Sequence, residues 1–427
     1  MAPNTTDGHL TVLVHDLLNI ADEHSGNPML SANQARAEAT GSILCKNSRH
    51  TREELNEFVM NIRGLSNRLS NLKLKPQLRQ VMIVAKLQDK DVISKTRDFS
   101  EMLLKRGISV YVQKELAAHP LFNLKELEQL AQKSTDAKFH TWSEVALPDP
   151  NKLDLVVTLG GDGTVLFVSW LFQQIVPPVV SFGLGSLGFL TEYEWDKREE
   201  TIDGINENGI YLSLRMRFEC RVIRAVKDEG EDWMMRDLDE EIRSMVTSHN
   251  STENLDEYSY DKHYVDATHS ILNDMVVDRG TSSTMTTTEL YTDFDHLTTV
   301  QADGLVIATP SGSTAYSLSA GGSLVHPDIP GILISPICPH TLSFRPVVVP
   351  DNTTIRIGVP YDARASAYCS FDGRSRVELT PGDFITVTAS RFPFPKVQSE
   401  AGSEWYSGLS NTLNWNQRKR QKRFTNI

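Results

Sequence analysis

The chain has 427 residues, of which 40% are hydrophobic and 23% are charged, and its formal net charge is −12. This length and composition are typical of a globular protein with about two to three domains. The acidic balance argues against nucleic acid as a partner, because nucleic-acid-binding domains usually carry a basic face. No apolar run approaches the roughly 18 residues of a membrane-spanning helix, so we expect no membrane partner.

The cysteines Cys45, Cys220, Cys338 and Cys369 are widely spaced, and the twelve histidines show no metal-ligand spacing. We therefore expect reduced thiols and no dedicated protein metal site. The N-terminus shows neither a signal peptide nor a transit peptide, which favours a cytoplasmic location. The basic run at 418–423 leaves a nuclear address open as an alternative.

The first half of the chain divides into an extension and an α/β domain. Residues 1–76 form the extension, with one amphipathic helix expected at about 55–69. Between 77 and 197, strand-like runs alternate with helical ones, which predicts a parallel sheet with flanking helices. The predicted strands are Val81–Ala85, Ile108–Val112, Leu153–Leu159 and Val179–Phe182, and the predicted helices are Val92–Lys105 and Val165–Phe172.

From 198 to 390 the pattern becomes rich in β-strands, which predicts a mainly β, sandwich-like second domain. The insert at 227–262 carries twelve acidic and four basic residues. This charge predicts a solvated, largely disordered loop whose removal leaves the fold intact. Residues 391–427 are expected to pack back on the first domain. The predicted strands are Ile210–Leu214, Phe218–Ile223, Gly304–Ala308, Thr354–Val359 and Phe384–Val387.

The most informative local motif is Gly-Gly-Asp-Gly-Thr at 160–164, between a predicted strand and a predicted helix. Glycines let the backbone approach a phosphate closely, and the first turn of a helix directs free amides at an anion. Asp162 would be a carboxylate among phosphate-binding amides, as in phosphoryl transfer, where an Asp accepts the proton of the acceptor hydroxyl. The alternative is a glycine-rich turn in which this Asp caps the helix.

A second motif, Thr309–Gly322, contains mostly small hydroxyl residues and glycines, with the aromatic Tyr316 among them. Hydroxyls, amides and one aromatic face suit a flat polar ligand, although ordinary helix capping would also explain them. Three further groups carry no specific signal alone, since Asn-Asp and Asp-Gly are common in turns. They are Asn273-Asp274, Asp303-Gly304 and Ser370–Arg374.

Taken in this order, these motifs resemble those of the NAD kinase family over about residues 78–420, most closely its eukaryotic branch. The pairing of Gly160–Thr164 with Thr309–Tyr316 is highly specific, and Leu184–Leu190 and Pro336–Pro346 are also similar to family blocks. The resemblance implies an α/β domain, a β-sandwich-like domain and NAD bound between them. It also implies ATP and Mg²⁺ as co-reactants, no tightly bound cofactor, and assembly as a homo-oligomer.

The resemblance also implies a role for each matching position. Asp162 would be the general base for transfer of the γ-phosphoryl group of ATP to the 2′-hydroxyl of the adenosine ribose of NAD. Asn273 and Asp274 would hold that ribose, Phe189 would pack beside the adenine, and Asp303 would lie at the nicotinamide end. The full set implied to bind NAD is Asp162, Gly163, Phe189, Asn273, Asp274, Asp303, Ser311, Thr314, Ala315, Tyr316, Ser319 and Asp372. The set implied to bind the ATP phosphates is Gly160, Gly161, Gly163 and Thr164.

Two other functions stay open at this level. A lipid kinase of the diacylglycerol or sphingosine type would share the Gly160–Thr164 motif, but it leaves Ser311–Ser319 unexplained. A non-catalytic NAD-binding sensor would retain the NAD contacts, but it would have no need for Asp162. One position departs from the family pattern, because Asp274 stands where Glu is usual.

Overall fold

A computed structural model of the protein describes residues 72–86, 89–134, 136–185, 188–226, 235–248, 262–293, 295–398 and 404–413. All of them fall within one structural unit, Leu69–Ile427. The helix expected at 55–69 and the basic run at 418–423 lie outside the described residues. Within the described part of the chain, no helix has the length and apolar character needed to cross a membrane.

The described strands are β1 (Leu72–Leu74), β2 (Gln80–Ala85), β3 (Ser109–Gln113), β4 (Phe139–Trp142), β5 (Leu155–Gly160), β6 (Val179–Gly183), β7 (Tyr193–Glu194), β8 (Ile210–Arg215), β9 (Phe218–Ala225), β10 (His263–Ile271), β11 (Asp274–Asp278), β12 (Thr286–Thr292), β13 (Asp295–Ala302), β14 (Gly304–Ala308), β15 (Gly331–Ile337), β16 (Val347–Pro350), β17 (Ile355–Gly358), β18 (Ala367–Phe371), β19 (Arg374–Leu379), β20 (Phe384–Ala389) and β21 (Phe394–Gln398). The described α-helices are α1 (Lys90–Lys105), α2 (Lys114–Ala117), α3 (Leu124–Lys133), α4 (Asp162–Leu171), α5 (Arg198–Asn208), α6 (Leu238–Ser248), α7 (Tyr316–Ser319) and α8 (Glu404–Leu413).

The first sheet has the order β1-β8-β21-β6-β5-β2-β3-β4, with β7 paired to β6. Its pairs from β6 to β4 are parallel, as predicted. Alternate residues of β2 enter two separate cores. Ile83 packs with α1, and Met82 and Val84 pack with α4. Helices therefore cover both faces of the sheet, which explains why its central strands are continuously apolar.

Three described strands of the first sheet lie outside the range 77–197 predicted for the first domain. Strand β8 pairs with β1 and β21, so Ile210–Arg215 belongs to the first sheet and not to a second domain that begins at 198. Strand β1 likewise places residues 72–74, expected in the extension, in this sheet. Strand β21 is parallel to β6. A short strand carries no local sign of which sheet it will join, so these memberships depend on tertiary packing.

The second domain consists of two six-stranded antiparallel sheets, as the β-rich pattern predicts. Their orders are β10-β9-β20-β17-β12-β13 and β16-β15-β14-β11-β18-β19. Residues from both sheets, including Phe218 and Leu290 from one and Met275 and Leu305 from the other, form a common core. Alternating inward residues thus close a sandwich between the two sheets.

The described part of the acidic insert contains helix α6, Leu238–Ser248, where the charge predicts a disordered loop. Helix α6 buries Leu238 and Ile242, which lie four residues apart on one face and pack with Phe384 and Tyr361. The Tyr361 hydroxyl also donates a 2.6 Å hydrogen bond to Glu241. The high acidic content conceals this short apolar face from composition-based reasoning, so deletion of 228–260 is expected to destabilise the protein.

Substituting Ile242 by Ala should lower the free energy of unfolding by about 2 kcal/mol, at the low end for such truncations because α6 is peripheral. Arg243→Ala is the matched control, because the side chain of this neighbouring residue is 59% exposed. The control should change stability by about 0.5 kcal/mol or less. Urea unfolding of both variants measures the difference, and equal effects would show that the helix contributes no apolar packing.

Candidate functional site

The glycine-rich loop forms the start of helix α4. Strand β5 ends at Gly160, Gly161 precedes the helix as its N-cap, and Asp162 is the first helical residue. Gly161 and Gly163 are exposed and have open space where a side chain would lie. Because the first amides of a helix have no helical acceptor, this turn can bind an anionic group such as a phosphate.

The carboxylate of Asp162 is held by the loop that follows β6. Oδ1 accepts hydrogen bonds from the amides of Leu190 and Thr191 and from the Thr191 hydroxyl, at 3.0–3.1 Å. Oδ2 accepts one bond, 3.0 Å long, from the amide of Phe189. Gly188 is required here, because a Cβ would lie 2.1 Å from Oδ1. The side chain predicted as a general base therefore has a fixed orientation.

The C-terminal segment supports this loop. Lys396 of β21 is only 1% exposed, donates a 3.2 Å hydrogen bond to the Phe189 carbonyl oxygen and forms an ion pair with Glu192. The ring of Phe189 lies against Gly408 of α8, where a Cβ would come within 3.2 Å of the ring. The predicted adenine-packing residue is thus positioned by both the first sheet and the last helix.

A second group forms around the turn between β10 and β11. The carboxylate of Asp372 accepts hydrogen bonds of 2.8–3.1 Å from the amides of Leu272, Asn273 and Asp274. The Asp372 amide in turn donates to the Asp274 carbonyl oxygen at 2.9 Å. Burial raises the pKa of Asp372, and the three amide bonds oppose that rise. Asp372 therefore fixes the backbone that carries the predicted ribose contacts.

The loop after β14 packs directly on this turn. The Thr309 hydroxyl donates to the Leu272 carbonyl oxygen at 2.6 Å, and the Thr309 amide donates to the Asn273 carbonyl oxygen at 2.9 Å. A Cβ on Gly312 would lie 2.1 Å from the Asn273 oxygen, so only glycine permits the contact. The structure therefore brings this loop, which carries the second predicted motif, together with the Asn273-Asp274 pair.

Asp274 has an unusual electrostatic environment. Its side chain is buried at 7% exposure. Burial, followed by the charge of Asp372, raises the pKa of Asp274 from 3.8 to about 7, while a hydrogen bond from the Tyr316 backbone amide opposes the rise. A buried carboxylate whose pKa is raised in this way is common at functional sites.

The other predicted NAD contacts occupy several environments near this turn. Ser311 is buried, whereas Tyr316 is 44% exposed and Ser319 is exposed. Thr314, the last residue of the short helical turn 311–314, and Ala315, which precedes α7, are half-buried. Asp303 forms a 2.8 Å ion pair with Arg279. Burial raises the pKa of Tyr316, and the charge of Asp303 adds to that rise.

Sequence reasoning missed three residues that orient these groups. Thr191 binds Asp162 through both its amide and its hydroxyl, and Lys396 supports the loop. Arg217 is fully buried and donates to backbone carbonyl oxygens beyond the end of α4, including that of Phe172 at 2.7 Å. Burial lowers the pKa of Arg217 to about 10. A glycine such as Gly188, three residues before Thr191, can indicate in the sequence that two backbone segments come close, whereas a buried Lys or Arg leaves no such signal.

Among the described residues, no group of three or more His, Cys, Asp or Glu side chains could hold a metal ion. Mg²⁺ commonly binds through one or two carboxylates together with substrate phosphates and water, and it does not require a protein cage. The open turn at Gly161–Gly163 is compatible with Mg²⁺ that arrives bound to ATP phosphates.

Two segments of the chain match family models. Residues 81–211 match the ATP-NAD kinase N-terminal domain, and residues 272–399 match the ATP-NAD kinase C-terminal domain. An uncharacterized kinase of Schizosaccharomyces pombe is 41% identical over 86% of this chain and 87% of its own length. The NAD(+) kinase of Saccharomyces cerevisiae is 41% identical over 86% of this chain, which spans 65% of that protein. The ATP-NADH kinase of the same yeast is 37% identical, with 87% and 71% covered.

Solved structures share the fold. A crystal structure of yeast NADH kinase complexed with NADH is 29% identical, with a TM-score of 0.64 over 82% of this chain and 91% of that chain. An Archaeoglobus fulgidus NAD kinase in complex with ATP, at 20% identity and a TM-score of 0.51, shares the fold alone over 78% of this chain and 98% of its own. By its two domain matches and its yeast relatives, the chain belongs to the NAD kinase family.

Proposed function

We propose that this chain transfers the γ-phosphoryl group of ATP to the 2′-hydroxyl of the adenosine ribose of NAD and so makes NADP. The position of Asp162 supports this assignment most directly. Its carboxylate lies at the N-terminus of α4, beside amides suited to phosphate and within the loop that carries Phe189. A base and an anion site in one helical turn are the two elements that phosphoryl transfer to an alcohol requires.

Asp162 acts as the general base. Its Oδ2 accepts a single hydrogen bond from a described residue, so this oxygen retains a lone pair for the 2′-hydroxyl proton. As that proton leaves, the ribose oxygen forms a bond to the γ-phosphorus and the bond to the β–γ bridging oxygen breaks, which releases ADP. The three bonds on Oδ1 keep the carboxylate oriented throughout. Positioning and charge stabilisation thus provide most of the catalysis.

The turn that carries Asn273 and Asp274 binds the adenosine ribose. Asp372 and Thr309 fix its backbone, so the side chains are preorganised before NAD arrives. Ser311–Ser319 supply hydroxyls, amides and the exposed Tyr316 ring for the adenine and nicotinamide ribose, and Asp303 contacts the nicotinamide end. Preorganisation of this kind lowers the entropic cost of binding.

ATP binds with its phosphates at the amides of Gly160–Thr164. Mg²⁺, when bound with ATP, neutralises the charge that develops on the transferred group. The helix N-terminus favours the same negative charge through its dipole. Glycines at 161 and 163 leave the backbone open to the phosphates on the exposed side of the turn.

The alternatives derived from the sequence are weaker. Matches to NAD kinase models in both domains leave the lipid-kinase alternative without support. A non-catalytic sensor would leave the oriented carboxylate of Asp162 without a purpose.

Incubating the purified chain with ATP, Mg²⁺ and NAD, and measuring NADP with an NADP-specific dehydrogenase, tests the proposal. Parallel reactions with NADH, diacylglycerol and sphingosine identify the acceptor. NADP formation is expected with NAD, and the NADH reaction determines the preferred redox state. Phosphorylated lipid without NADP would overturn the assignment, and NAD binding without turnover would favour the sensor.

We also propose that the chain acts as a cytoplasmic homo-oligomer. Light scattering coupled to size-exclusion chromatography measures the oligomeric state, and a mass of about 48 kDa would contradict a homo-oligomer, because one chain weighs 47.9 kDa. Fluorescence of a tagged chain in cells measures the location and separates a cytoplasmic one from a nuclear one.

A further inference from the structure

We propose that Arg374 is a positioning residue that keeps the Asp162 end of helix α4 aligned with the ribose-binding turn at 272–274. The inference rests on the proposed phosphoryl transfer. The guanidinium of Arg374 lies 4.9 Å from the ring centroid of Phe167 and 5.5 Å from that of Trp170. These two rings of α4 stack on each other, with their centroids 5.9 Å apart. Arg374 therefore joins the second domain to the helix that carries the proposed base.

A single hairpin turn contacts both the ribose-binding turn at 272–274 and helix α4. Strand β18 ends at Phe371 and β19 begins at Arg374, so only Asp372 and Gly373 separate them. Asp372 binds the amides of the ribose-binding turn, and Arg374 contacts the aromatic face of α4. Asp372 and Gly373 form a tight turn, and both have positive φ. The contact with the ribose-binding turn and the contact with α4 are therefore made by residues only two positions apart.

The side chains of two residues hold the segment that follows the opposite end of α4. The Gln173 side chain accepts a 2.7 Å hydrogen bond from the Ser270 amide and donates a 3.3 Å bond to the Ser270 carbonyl oxygen. Arg217 donates to the carbonyl oxygens of Phe172 and Gln174. These bonds anchor the segment just beyond the C-terminal end of the helix.

Helix α4 is thus held at its C-terminal end and carries Asp162 at its N-terminal end. Its ten residues span about 15 Å, so a small rotation about the anchored C-terminal end displaces Asp162 at the other end. Leu272 packs in the same core as Val165 and Val168, which limits sliding of the helix against the turn. The Arg374 contact on Phe167 and Trp170 limits rotation. A displacement of about 1 Å between reacting groups can lower a rate by about 10²-fold.

Arg374→Ala is expected to lower kcat for NADP formation by about tenfold, because it misaligns Asp162 and the ribose-binding turn without removing a contact to either substrate. KM for NAD and KM for ATP should each stay within about twofold of wild type. Arg374→Lys should recover part of kcat, since it keeps the charge but loses the planar stacking.

Arg376→Ala is the matched control. Arg376 lies on the same strand, is exposed as Arg374 is, and also sits over a ring, 4.8 Å from the Tyr368 centroid, but its contacts stay within the second domain. Its kcat should remain within about twofold of wild type. Rates are expressed per folded protein, as measured by circular dichroism at the assay temperature, so lost stability does not mimic lost alignment.

A double-mutant cycle tests the route. In a background with both Phe167→Leu and Trp170→Leu, Arg374→Ala should have no further effect on kcat. An equal kcat loss in that background, equal kcat in the Arg374 and Arg376 variants, or a change confined to KM would each overturn the inference. A wild-type chain that forms no NADP would overturn the proposed function and this inference together, whereas an active wild type with unchanged kcat in Arg374→Ala overturns the inference alone.

Discussion

Asp162→Asn is expected to lower kcat for NADP formation by roughly 10²–10⁴-fold, the usual effect of losing a positioned acid or base. Asn keeps the size of the side chain but cannot take the proton of the 2′-hydroxyl. KM for NAD should change far less than kcat, because the ribose-binding turn is fixed by Asp372 and Thr309 and not by Asp162. Initial rates at saturating ATP give both constants. A kcat within threefold of wild type would contradict the role of general base.

The same substitution has a structural cost that must be separated from catalysis. Both carboxylate oxygens of Asp162 accept amide bonds, from Phe189 on one oxygen and from Leu190 and Thr191 on the other. The NH₂ group of Asn must face one of these donor sets, which should cost about 1–3 kcal/mol of stability. Urea unfolding of the variant measures this loss.

Thr191→Val is the control for Asp162→Asn. It removes the hydroxyl, which donates to Asp162 and accepts from the Gly188 amide, and it keeps the carboxylate. Because only one of these two hydrogen bonds involves the carboxylate and such a bond is worth about 1 kcal/mol, kcat should stay within about fivefold of wild type. Equal kcat losses in the two variants would show that loop geometry, and not the carboxylate, controls the rate.

The elements around the glycine-rich loop at 160–164 are predictable from the sequence because their signals are local. Strand β5 is a run of apolar residues that ends in glycine, and such runs identify buried parallel strands. The following helix was predicted from Val165 and begins three residues earlier, at Asp162. The first turn was missed because it contains Gly163 and Thr164, which are poor helix formers whose placement depends on the cap.

Other features depend on contacts between residues far apart in the chain. The three amide bonds to Asp372 join positions about one hundred residues apart, so no local pattern reveals them. Strand β21 is only five residues long and has no local sign of its partners, yet it lies between β8 and β6 of the first sheet. Leu238 and Ile242 were hidden by the acidic residues around them, because net charge does not report which face of a helix is apolar.

Asp274 should make both stability and NAD binding depend on pH. The pKa of Asp274 is about 7 in the folded chain, against 3.8 for an unperturbed Asp. Below about pH 4 Asp274 is protonated in both the folded and the unfolded chain, and it does not change the free energy of unfolding. As pH rises from 4 to 7, the unfolded state loses the proton and the folded state keeps it, so stability falls by up to about 4 kcal/mol. Above pH 7 the loss is constant.

Asp274→Asn therefore should stabilise the protein at pH 8 and have little effect near pH 4. The stabilisation should grow between these values, because Asn removes the cost of a buried charge beside Asp372. Urea unfolding of wild type and variant across this range measures the gap. A gap that is independent of pH would show that Asp274 does not titrate with a raised pKa.

Binding of NAD should respond in the opposite direction. A ribose hydroxyl donates to the ionised carboxylate, so kcat/KM for NAD at saturating ATP should rise with pH up to about 7 and then level off. Asp274→Ala should raise KM for NAD by the equivalent of roughly 1.5–3 kcal/mol, the value of a hydrogen bond to a charged group, and leave KM for ATP almost unchanged. In Asp274→Asn the pH dependence should disappear, which separates this carboxylate from the titration of ATP.

Asp274→Glu distinguishes two ways in which the shorter Asp can serve where the family usually has Glu. Asp reaches about one ångström less. If Asp274 contacts the ribose directly, the extra methylene must enter a site where the side chain is only 7% exposed, and KM for NAD should rise. If a water molecule bridges the gap, Glu should displace it at little cost. We expect the direct contact, because Asp372 and Gly312 hold the turn closely on both sides. If neither Ala nor Glu alters KM for NAD by twofold, Asp274 is not a ribose ligand and the Asn273-Asp274 pair is an ordinary turn.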